Sequence, residues 1–318
     1  MTDNETAQGV KAALRALAVA AALLAALLVA SRLFEPKTNN SEFGLFDAGT
    51  SGIAAEPQDT IDVVVVGDSL ALNSFWPKQF WGDRGYTLFV CSSLAQKLPE
   101  GYTMLSNALK NQSPKVVLIE THDVFVPFTW EFALLNELQM HLPILRYHSR
   151  WRVFKPSDLV TRPEATWIDP HKGARIENQT DAVDGEDLDE YLDQIDETSA
   201  AEEIDTQGDL FLGRMVDACE EAGAIPVLVS VPSVVDWSAE RHNAVEAWAK
   251  EHGVSYLDLN LSTEEIGLDW STDSKDGGDH LNASGAEKFS HYMSALLDDE
   301  YDLPDHRGDS AYASWEAL

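Results

Sequence analysis

Two side chains near opposite ends of the sequence, Ser69 and His280, are of the types that nucleophilic ester chemistry requires. Ser69 follows a glycine and Asp68 at the end of a run of four valines. His280 lies in a carboxylate-rich segment with Asp276 and Asp279. A serine becomes a nucleophile when a base within hydrogen-bond reach removes its proton and a carboxylate orients that base. The two segments together therefore predict a serine-based acyl-transfer site.

Each of these signals is weak when taken alone. The tripeptide recurs in the tail as Gly308-Asp309-Ser310 with no strand before it, and we interpret that copy as chance. The segment around His280 also fits a helix-capping loop, in which Asn282 or Ser284 caps the helix and the imidazole is merely exposed. The case for chemistry depends on the two segments meeting in space.

The elements that position these residues follow from the hydrophobic pattern. The run from Ile61 to Val66 is β-branched on both faces, which is typical of a buried parallel strand, and Gly67 is expected to let the chain turn sharply after it. Four more apolar runs predict strands, at residues 86–93, 115–121, 225–231 and 254–259. Helical patterns cover residues 101–111, 209–222, 239–251 and 284–297. Strands alternating with helices predict an α/β protein with a doubly wound parallel sheet, which keeps its site at the carboxyl ends of the strands.

The N-terminus carries an apolar stretch at residues 12–30 that is interrupted only by Arg15. Its length matches the hydrocarbon core of a bilayer. Basic residues flank it on both sides, and a cleaved signal peptide is the competing interpretation, but no convincing cleavage site follows. An uncleaved membrane anchor at residues 1–34 is therefore favoured, and the polar composition of residues 35–59 predicts a linker.

Composition excludes some functions. The net charge of −32, from 54 acidic and 22 basic residues, repels polyanions, so nucleic acid is not an expected partner. Length and a 44% hydrophobic content favour one large domain. Cys91 and Cys219 fit ordinary buried residues better than a disulfide, and no cysteine and histidine spacing resembles a zinc site.

Two segments interrupt the alternation of strands and helices, as an insertion at about residues 125–206. Residues 125–151 are rich in aromatics, and His148 and Trp151 could line a sugar-binding cleft, although ordinary packing of a cap explains them as well. Residues 181–205 carry twelve acidic side chains and no lysine or arginine. This composition favours a solvated insertion over a cation site, because calcium loops space their ligands more tightly.

The chain resembles the SGNH (GDSL) hydrolase superfamily. The resemblance begins with Gly67-Asp68-Ser69-Leu70 after the first strand and ends with His280, preceded by aspartates and followed by Leu281-Asn282 and Gly285-Ala286. Three middle segments are similar to a membrane-anchored bacterial branch with roles in O-acylation and deacylation of cell-surface polysaccharide. These segments are Ser92-Ser93-Leu94-Ala95-Gln96, residues 114–120 and Tyr147-His148-Ser149-Arg150-Trp151.

The resemblance implies a flavodoxin-like α/β/α sandwich with a five-stranded parallel sheet at residues 60–300, followed by a C-terminal tail at residues 301–318. It implies that Ser69 is the nucleophile, that its backbone N–H is an oxyanion donor, and that His280 is the base. Asp68 and Gln96 belong to the matching segments and are expected near the oxyanion or the substrate.

Three positions depart from the family pattern. Ala95 replaces a glycine whose backbone N–H is an oxyanion donor, and His122 replaces an asparagine whose side chain is another. The imidazole could donate to an oxyanion, act as a second base, or be structural. The orienting aspartate is expected three residues before His280, where the sequence has Gly277, so either Asp276 or Asp279 must serve. Asp276 is weakly favoured, because the glycines after it could absorb the extra residue.

The sequence thus predicts a membrane-tethered, extracytoplasmic serine esterase or O-acyltransferase. Its expected substrate is an acylated carbohydrate, such as an acetyl ester of a cell-envelope glycan. A membrane acyl-donor protein is an expected partner for the transferase reaction, and no metal or organic cofactor is needed. The contrasting hypothesis, motivated by the three departures, is a glycan-binding or assembly protein that keeps the fold with an eroded site.

Overall fold

The protein is built on one parallel sheet of five strands, seen in a computed structural model that describes residues 3–39, 51–194 and 200–318. The strands are β1 (Val63–Gly67), β2 (Leu88–Ser92), β3 (Val116–Glu120), β4 (Ile225–Ser230) and β5 (Ser255–Asp258). Their order is β2-β1-β3-β4-β5. Every neighbouring pair is parallel. The predicted α/β class with a doubly wound, five-stranded parallel sheet is therefore confirmed.

Helices connect the strands and cover both faces of the sheet. Those between β1 and β4 are α2 (Ser69–Ser74), α3 (Pro77–Arg84), α4 (Leu98–Ala108), α5 (Trp130–His141), α6 (Pro143–Tyr147), α7 (Gly185–Gln194) and α8 (Thr206–Glu221). After β4 come α9 (Ala239–His252), α10 (Thr263–Ile266) and α11 (Ala283–Tyr301). A two-stranded antiparallel hairpin, β6 (Ser274–Lys275) and β7 (His280–Leu281), precedes α11. Sequence analysis did not identify this hairpin or the helices α2, α3, α5, α6, α7 and α10.

The valine run of β1 explains why the sheet lies in the middle of three layers. Val63 and Val65 pack in a core shared with α2, α3 and α11. Val64 and Val66 pack in a second core shared with α4, α8 and α9. Successive side chains of a strand point to opposite faces, so a strand that is apolar at every position is stable only between two layers.

Gly67 is required for close packing and not for a turn, which corrects the expectation from the sequence. It is the last residue of β1, and its φ lies outside the left-handed region that favours glycine. A Cβ at this position would lie 2.5 Å from Cβ of Glu120 and 3.0 Å from Cβ of Ala71. The glycine lets β3 and α2 approach β1 just below the serine.

Gly67→Ala is expected to destabilise the fold by about 1–3 kcal/mol, the usual cost of overpacking a core. Thermal or denaturant unfolding measures the effect. The matched control is Gly213→Ala in α8, where nothing lies within 4 Å of an added Cβ and the φ is not positive. Removing a glycine from a helix interior should stabilise by about 0.5–1 kcal/mol. Equal effects of the two substitutions would contradict the packing argument.

An N-terminal helix, α1 (Asp3–Phe34), precedes the sheet. Its segment Gln8–Phe34 has a mean hydropathy of 2.4 and an apolar window with no buried residues. By length and composition it fits a membrane span or a signal sequence. Part of the predicted linker (residues 40–50) and part of the acidic segment (residues 195–199) lie outside the described residues. The remaining boundaries of the domain and tail stay predictions.

The two cysteines are both buried and are not joined in a disulfide bond. Cys91, in β2, packs in the core covered by α4. Cys219, in α8, packs in the same core. They are small packing residues, as the sequence suggested.

Candidate active site

The candidate site lies at the carboxyl edge of the sheet, where the strand order reverses. The chain leaves β1 to form β2 on one side and returns to form β3 on the other. In open α/β sheets this reversal leaves a crevice outside the strand ends. Ser69 follows β1 and His122 follows β3, so the topology alone brings these two residues to the same crevice.

Ser69 is the first residue of α2, and Asp68 caps that helix. Asp68 Oδ1 accepts a hydrogen bond of 2.8 Å from the Leu70 N–H. The N–H groups of a first helical turn have no acceptor within the helix. The Ser69 N–H therefore points out of the helix end beside its own half-buried hydroxyl, an arrangement suited to holding a developing anion.

His280 is brought to this edge by the hairpin, because β7 packs against α2. Its Nδ1 lies 3.3 Å from Asp276 Oδ2 and 3.2 Å from Asp279 Oδ2. Neither contact has hydrogen-bond geometry, and both ring nitrogens are buried without a hydrogen-bond partner among the described residues. Burial, and then the charge of Lys275, lower the pKa of His280 below its usual 6.5. The imidazole is thus neutral at pH 7, the form that accepts a proton.

The loop before His280 has an unusual backbone. Asp276, Gly277 and Gly278 have φ values of 56°, 67° and 94°. Gly278 is also tied to the next loop, because the Val234 N–H donates to its carbonyl oxygen at 2.9 Å. The consecutive left-handed residues fold the loop back so that Asp276, four residues before His280, reaches the ring.

Ala95 lies in the turn between β2 and α4 with a φ of 49°. This is the left-handed conformation that a glycine adopts without strain, so the alanine keeps a glycine-type turn at a cost of about 1 kcal/mol. Gln96 beside it is fully buried, and its Nε2 lies 3.5 Å from Asp123 Oδ2. The turn is thereby fixed to the loop that carries His122.

His122 is held between two carboxylates. Its Nδ1 lies 2.7 Å from Asp68 Oδ2, and its Nε2 lies 3.4 Å from Asp236 Oδ1. Burial opposes the charged form, but the hydrogen bonds with Asp236 and Asp68 outweigh it and raise the pKa of His122 to about 11. A protonated imidazole donates hydrogen bonds and cannot accept a proton. This state suits an oxyanion donor and not a second base.

Asp236 is a site residue that the sequence analysis did not identify. It shares a hydrogen bond with Asp279, next to His280. Burial raises the pKa of Asp279, and the contact with Asp236 adds to this, to about 7. Burial also disfavours the Asp236 anion, but hydrogen bonds with His122 and Asp279 lower its pKa to about 2. A proton bound by the pair is therefore favoured on Asp279 and not on Asp236. Asp236 follows no strand directly, so spacing gave no signal for it.

Two further carboxylates were also missed, although both lie in the segment that contains His122. Glu120 and Asp123 are 1% and 2% exposed. Burial, and next the charge of Asp68, raise the pKa of Glu120 to about 8 and that of Asp123 well above its usual range. Because the sequence analysis considered roles for His122 alone at this strand end, the acids on either side of it received none.

His148 and Trp151 lie in a short helix that packs on α6 and α1. Nearby, Arg146 and Tyr147 line a cavity together with the C-terminal end of α4. That end is at the amino edge of the sheet, since the Ile61 N–H just before β1 donates to Gln112 just after α4. The structure therefore brings Asp68, Ser69, Ala95, Gln96, His122, Asp276, Asp279 and His280 to the carboxyl edge, and places His148 and Trp151 elsewhere.

Searches against known proteins give structural likenesses only. No protein-family model matches the chain, and no curated protein matches it significantly. A structure of TesA is 14% identical, with a TM-score of 0.39, over 74% of this chain and 98% of its own. A candidate SGNH hydrolase from Slackia heliotrinireducens is 12% identical, with a TM-score of 0.40, over 75% and 100%. The lipase/acylhydrolase from Enterococcus faecalis is 12% identical, with a TM-score of 0.31, over 75% and 95%. At these values the likenesses assign no role to any residue of the site.

Proposed function

We propose that the protein is an SGNH-type serine ester hydrolase or O-acyltransferase, in which Ser69 is the nucleophile and His280 is the base. One observation carries the proposal. The helix that begins at Ser69 packs on the strand that carries His280, and both nitrogens of that neutral imidazole are buried with no hydrogen-bond partner among the described residues. A buried polar atom without a partner is costly and indicates a group kept available for chemistry.

The reaction follows the usual acyl-enzyme course. His280 takes the proton of Ser69 Oγ as that oxygen bonds to the ester carbonyl carbon, and the carbon–alkoxy bond then breaks as His280 returns the proton to the departing alcohol. Water or a second hydroxyl group, deprotonated by His280, releases the acyl group from Ser69 by the reverse steps. Hydrolase and transferase differ only in this acceptor.

Three N–H groups are suited to the oxyanion. The backbone N–H of Ser69 lies at the start of α2, and that of Ala95 lies in the left-handed turn after β2. The third is Nε2 of His122, which a 3.4 Å contact with Asp236 holds loosely enough to be exchanged for an oxyanion. Donors fixed before the reaction stabilise the anion without reorganisation.

Asp276 is the better candidate to orient His280, although Asp279 is as close. Burial and the neighbouring Asp236 raise the pKa of Asp279 to about 7, so its carboxyl group is only partly ionised at pH 7. Asp276 is half exposed, and its Oδ2 lies 3.9 Å from Lys275 Nζ. Its charge favours the protonated His280 that forms during attack.

The membrane-tethered location and the substrate class form a finer part of the same proposal. The long apolar helix α1 supports a tether. Lys11 and Arg15 near its N-terminal end favour a cytoplasmic N-terminus, with the remainder of the chain outside the cytoplasm. The family resemblance of the sequence supports an acylated carbohydrate as substrate and a membrane acyl-donor protein as partner. The competing function, an eroded glycan-binding protein, is favoured by the engagement of His122 with two carboxylates. It predicts glycan binding without release of acetate.

A fluorophosphonate probe tests the proposal, since it bonds covalently only to an activated serine. The purified protein is expected to be labelled, and Ser69→Ala is expected to abolish labelling. The chain supplies a matched control in Ser310, which is exposed, follows the same Gly-Asp pair and lies outside the sheet edge. Ser310→Ala should label like the parent protein. Labelling that survives Ser69→Ala would overturn the proposal.

A further inference from the structure

A group of buried acidic side chains surrounds His122 at the carboxyl edge of the sheet. One ligand atom each from Asp68, His122 and Asp123 lies within 4.8 Å of the others. The Glu120 carboxylate adjoins them, because its Oε1 accepts the His122 N–H at 3.1 Å. Asp68 follows β1, whereas Glu120 ends β3 and Asp123 lies just after it. The strand order brings these two segments together, so the cluster results from the fold and not from one acidic stretch of sequence.

Two oxygens of this group have no hydrogen-bond partner among the residues that the structure describes. They are Oδ1 of Asp123 and Oε2 of Glu120, on side chains that are 98–99% buried. Protonating one carboxyl group satisfies at most one of these oxygens, and only where the new O–H meets an acceptor. A cation satisfies several such oxygens at once, which is why buried charges are either paired or coordinate metals.

The second nitrogen of His122 supports the same interpretation. Nδ1 faces Asp68, and Nε2 faces Asp236 at 3.4 Å. A metal-ligating histidine usually gives its other N–H to a carboxylate, which fixes the ring. Ligands at about 2.1 Å from one ion lie roughly 3–4 Å apart. Nδ1 of His122 and Oδ2 of Asp68, now 2.7 Å apart, would therefore separate slightly to admit the ion.

We propose that Asp68, His122 and Asp123 form a binding site for one divalent first-row transition cation, with Glu120 close enough to join them. One imidazole and two or three carboxylates suit Mn²⁺ or Zn²⁺, whereas Ca²⁺ takes oxygen ligands. The ion would displace the proton between Nδ1 of His122 and Asp68, which is released to solvent, and would leave the Nε2–H available as a donor. The site is therefore compatible with the proposed esterase but does not depend on it.

Binding of Mn²⁺ tests the site directly. The full chain, purified in detergent and stripped with chelator, is titrated with MnCl₂ by calorimetry in excess Mg²⁺, which occupies weak surface carboxylates. One Mn²⁺ per chain is expected, and Asp123→Asn should weaken binding by at least about tenfold. Asp187→Asn, on an exposed position of α7, is the matched control and should bind like the parent protein. Absence of a stoichiometric site, or equal binding by Asp123→Asn, would overturn the proposal.

Two further measurements test the site even if Asp123→Asn fails to fold. They also distinguish cation binding from the proposed esterase activity. Nitrogen modulation in the electron spin echo of bound Mn²⁺ reports an imidazole ligand in the unmodified protein, and its absence would exclude His122 as a ligand. Ser69→Ala should retain Mn²⁺ affinity, because the hydroxyl is not part of the ligand set. Retained binding in that variant would show that the cation site stands even if no serine esterase activity exists.

Discussion

Replacing His280 with alanine is expected to lower kcat/KM for an activated ester by about a thousandfold or more. Loss of the base in a serine hydrolase removes both proton transfers, and only binding and oxyanion stabilisation remain. His280→Ala should unfold near the parent temperature, because both ring nitrogens lack hydrogen-bond partners among the described residues and their removal breaks no such bond. A stable variant with near-parent activity would exclude His280 as the base.

The pH dependence of kcat/KM tests the same role of His280. The pKa of His280 is below 6.5 in the folded protein, so the acid limb of kcat/KM should fall below pH 6.5, with activity rising as the imidazole loses its proton. Protonating His280 in the folded protein is less favourable than in the unfolded chain. Stability should therefore also decline as pH falls below 6.5.

The two aspartates beside His280 can be separated by the same profile. The charge of Asp276 raises the pKa of His280, although burial outweighs it. Asp276→Asn should therefore lower kcat/KM and move the acid limb to lower pH. Asp279→Asn is the matched comparison, because burial and Asp236 raise the pKa of Asp279 to about 7 and so weaken its charge beside His280. A displaced limb in Asp279→Asn alone would reverse the assignment of the orienting residue.

Four of the five strands were predictable from the sequence because they are buried on both faces. Val63 to Val66 admit no amphipathic alternative, and β2, β3 and β4 are similar apolar runs, whereas the edge strand β5 is only partly buried. The short helices α2 and α3 were missed because neither has a clear apolar stripe, and α2 spans only six residues. Their place is set by packing on α11 and not by local preference.

The candidate site was predictable only where a motif carried it. Ser69 and His280 stood out by residue type and by neighbours, and parallel strand ends bring such residues to one edge. Asp236 had no motif, and its role arises from a contact between two loops, fixed by the hydrogen bond from Val234 to Gly278. Such a contact depends on three-dimensional closure and has no signal in spacing. The left-handed conformation of Ala95 likewise has no signal in the spacing of residues and could be learned only from the structure.

His122→Ala is expected to lower kcat by about a hundredfold to a thousandfold, the usual cost of removing one oxyanion donor. His122→Asn should retain activity to within about tenfold, because the amide N–H₂ can donate from nearly the same place. The comparison separates a donor from a purely structural residue. Both substitutions remove the charge that Asp68 and Asp236 share, so both should destabilise the fold. The two variants should therefore differ in kcat only because alanine removes the hydrogen-bond donor and asparagine keeps one.

Steady-state kinetics on an activated ester, with unfolding temperatures measured in parallel, checks this expectation. Equal loss of activity in the alanine and asparagine variants would show that the imidazolium charge, and not its N–H, is needed. Parent-like activity in His122→Ala would show that the backbone N–H groups of Ser69 and Ala95 hold the oxyanion without a side chain. The rescue by asparagine is the decisive result, because it requires a donor at the end of β3 whatever residue supplies it.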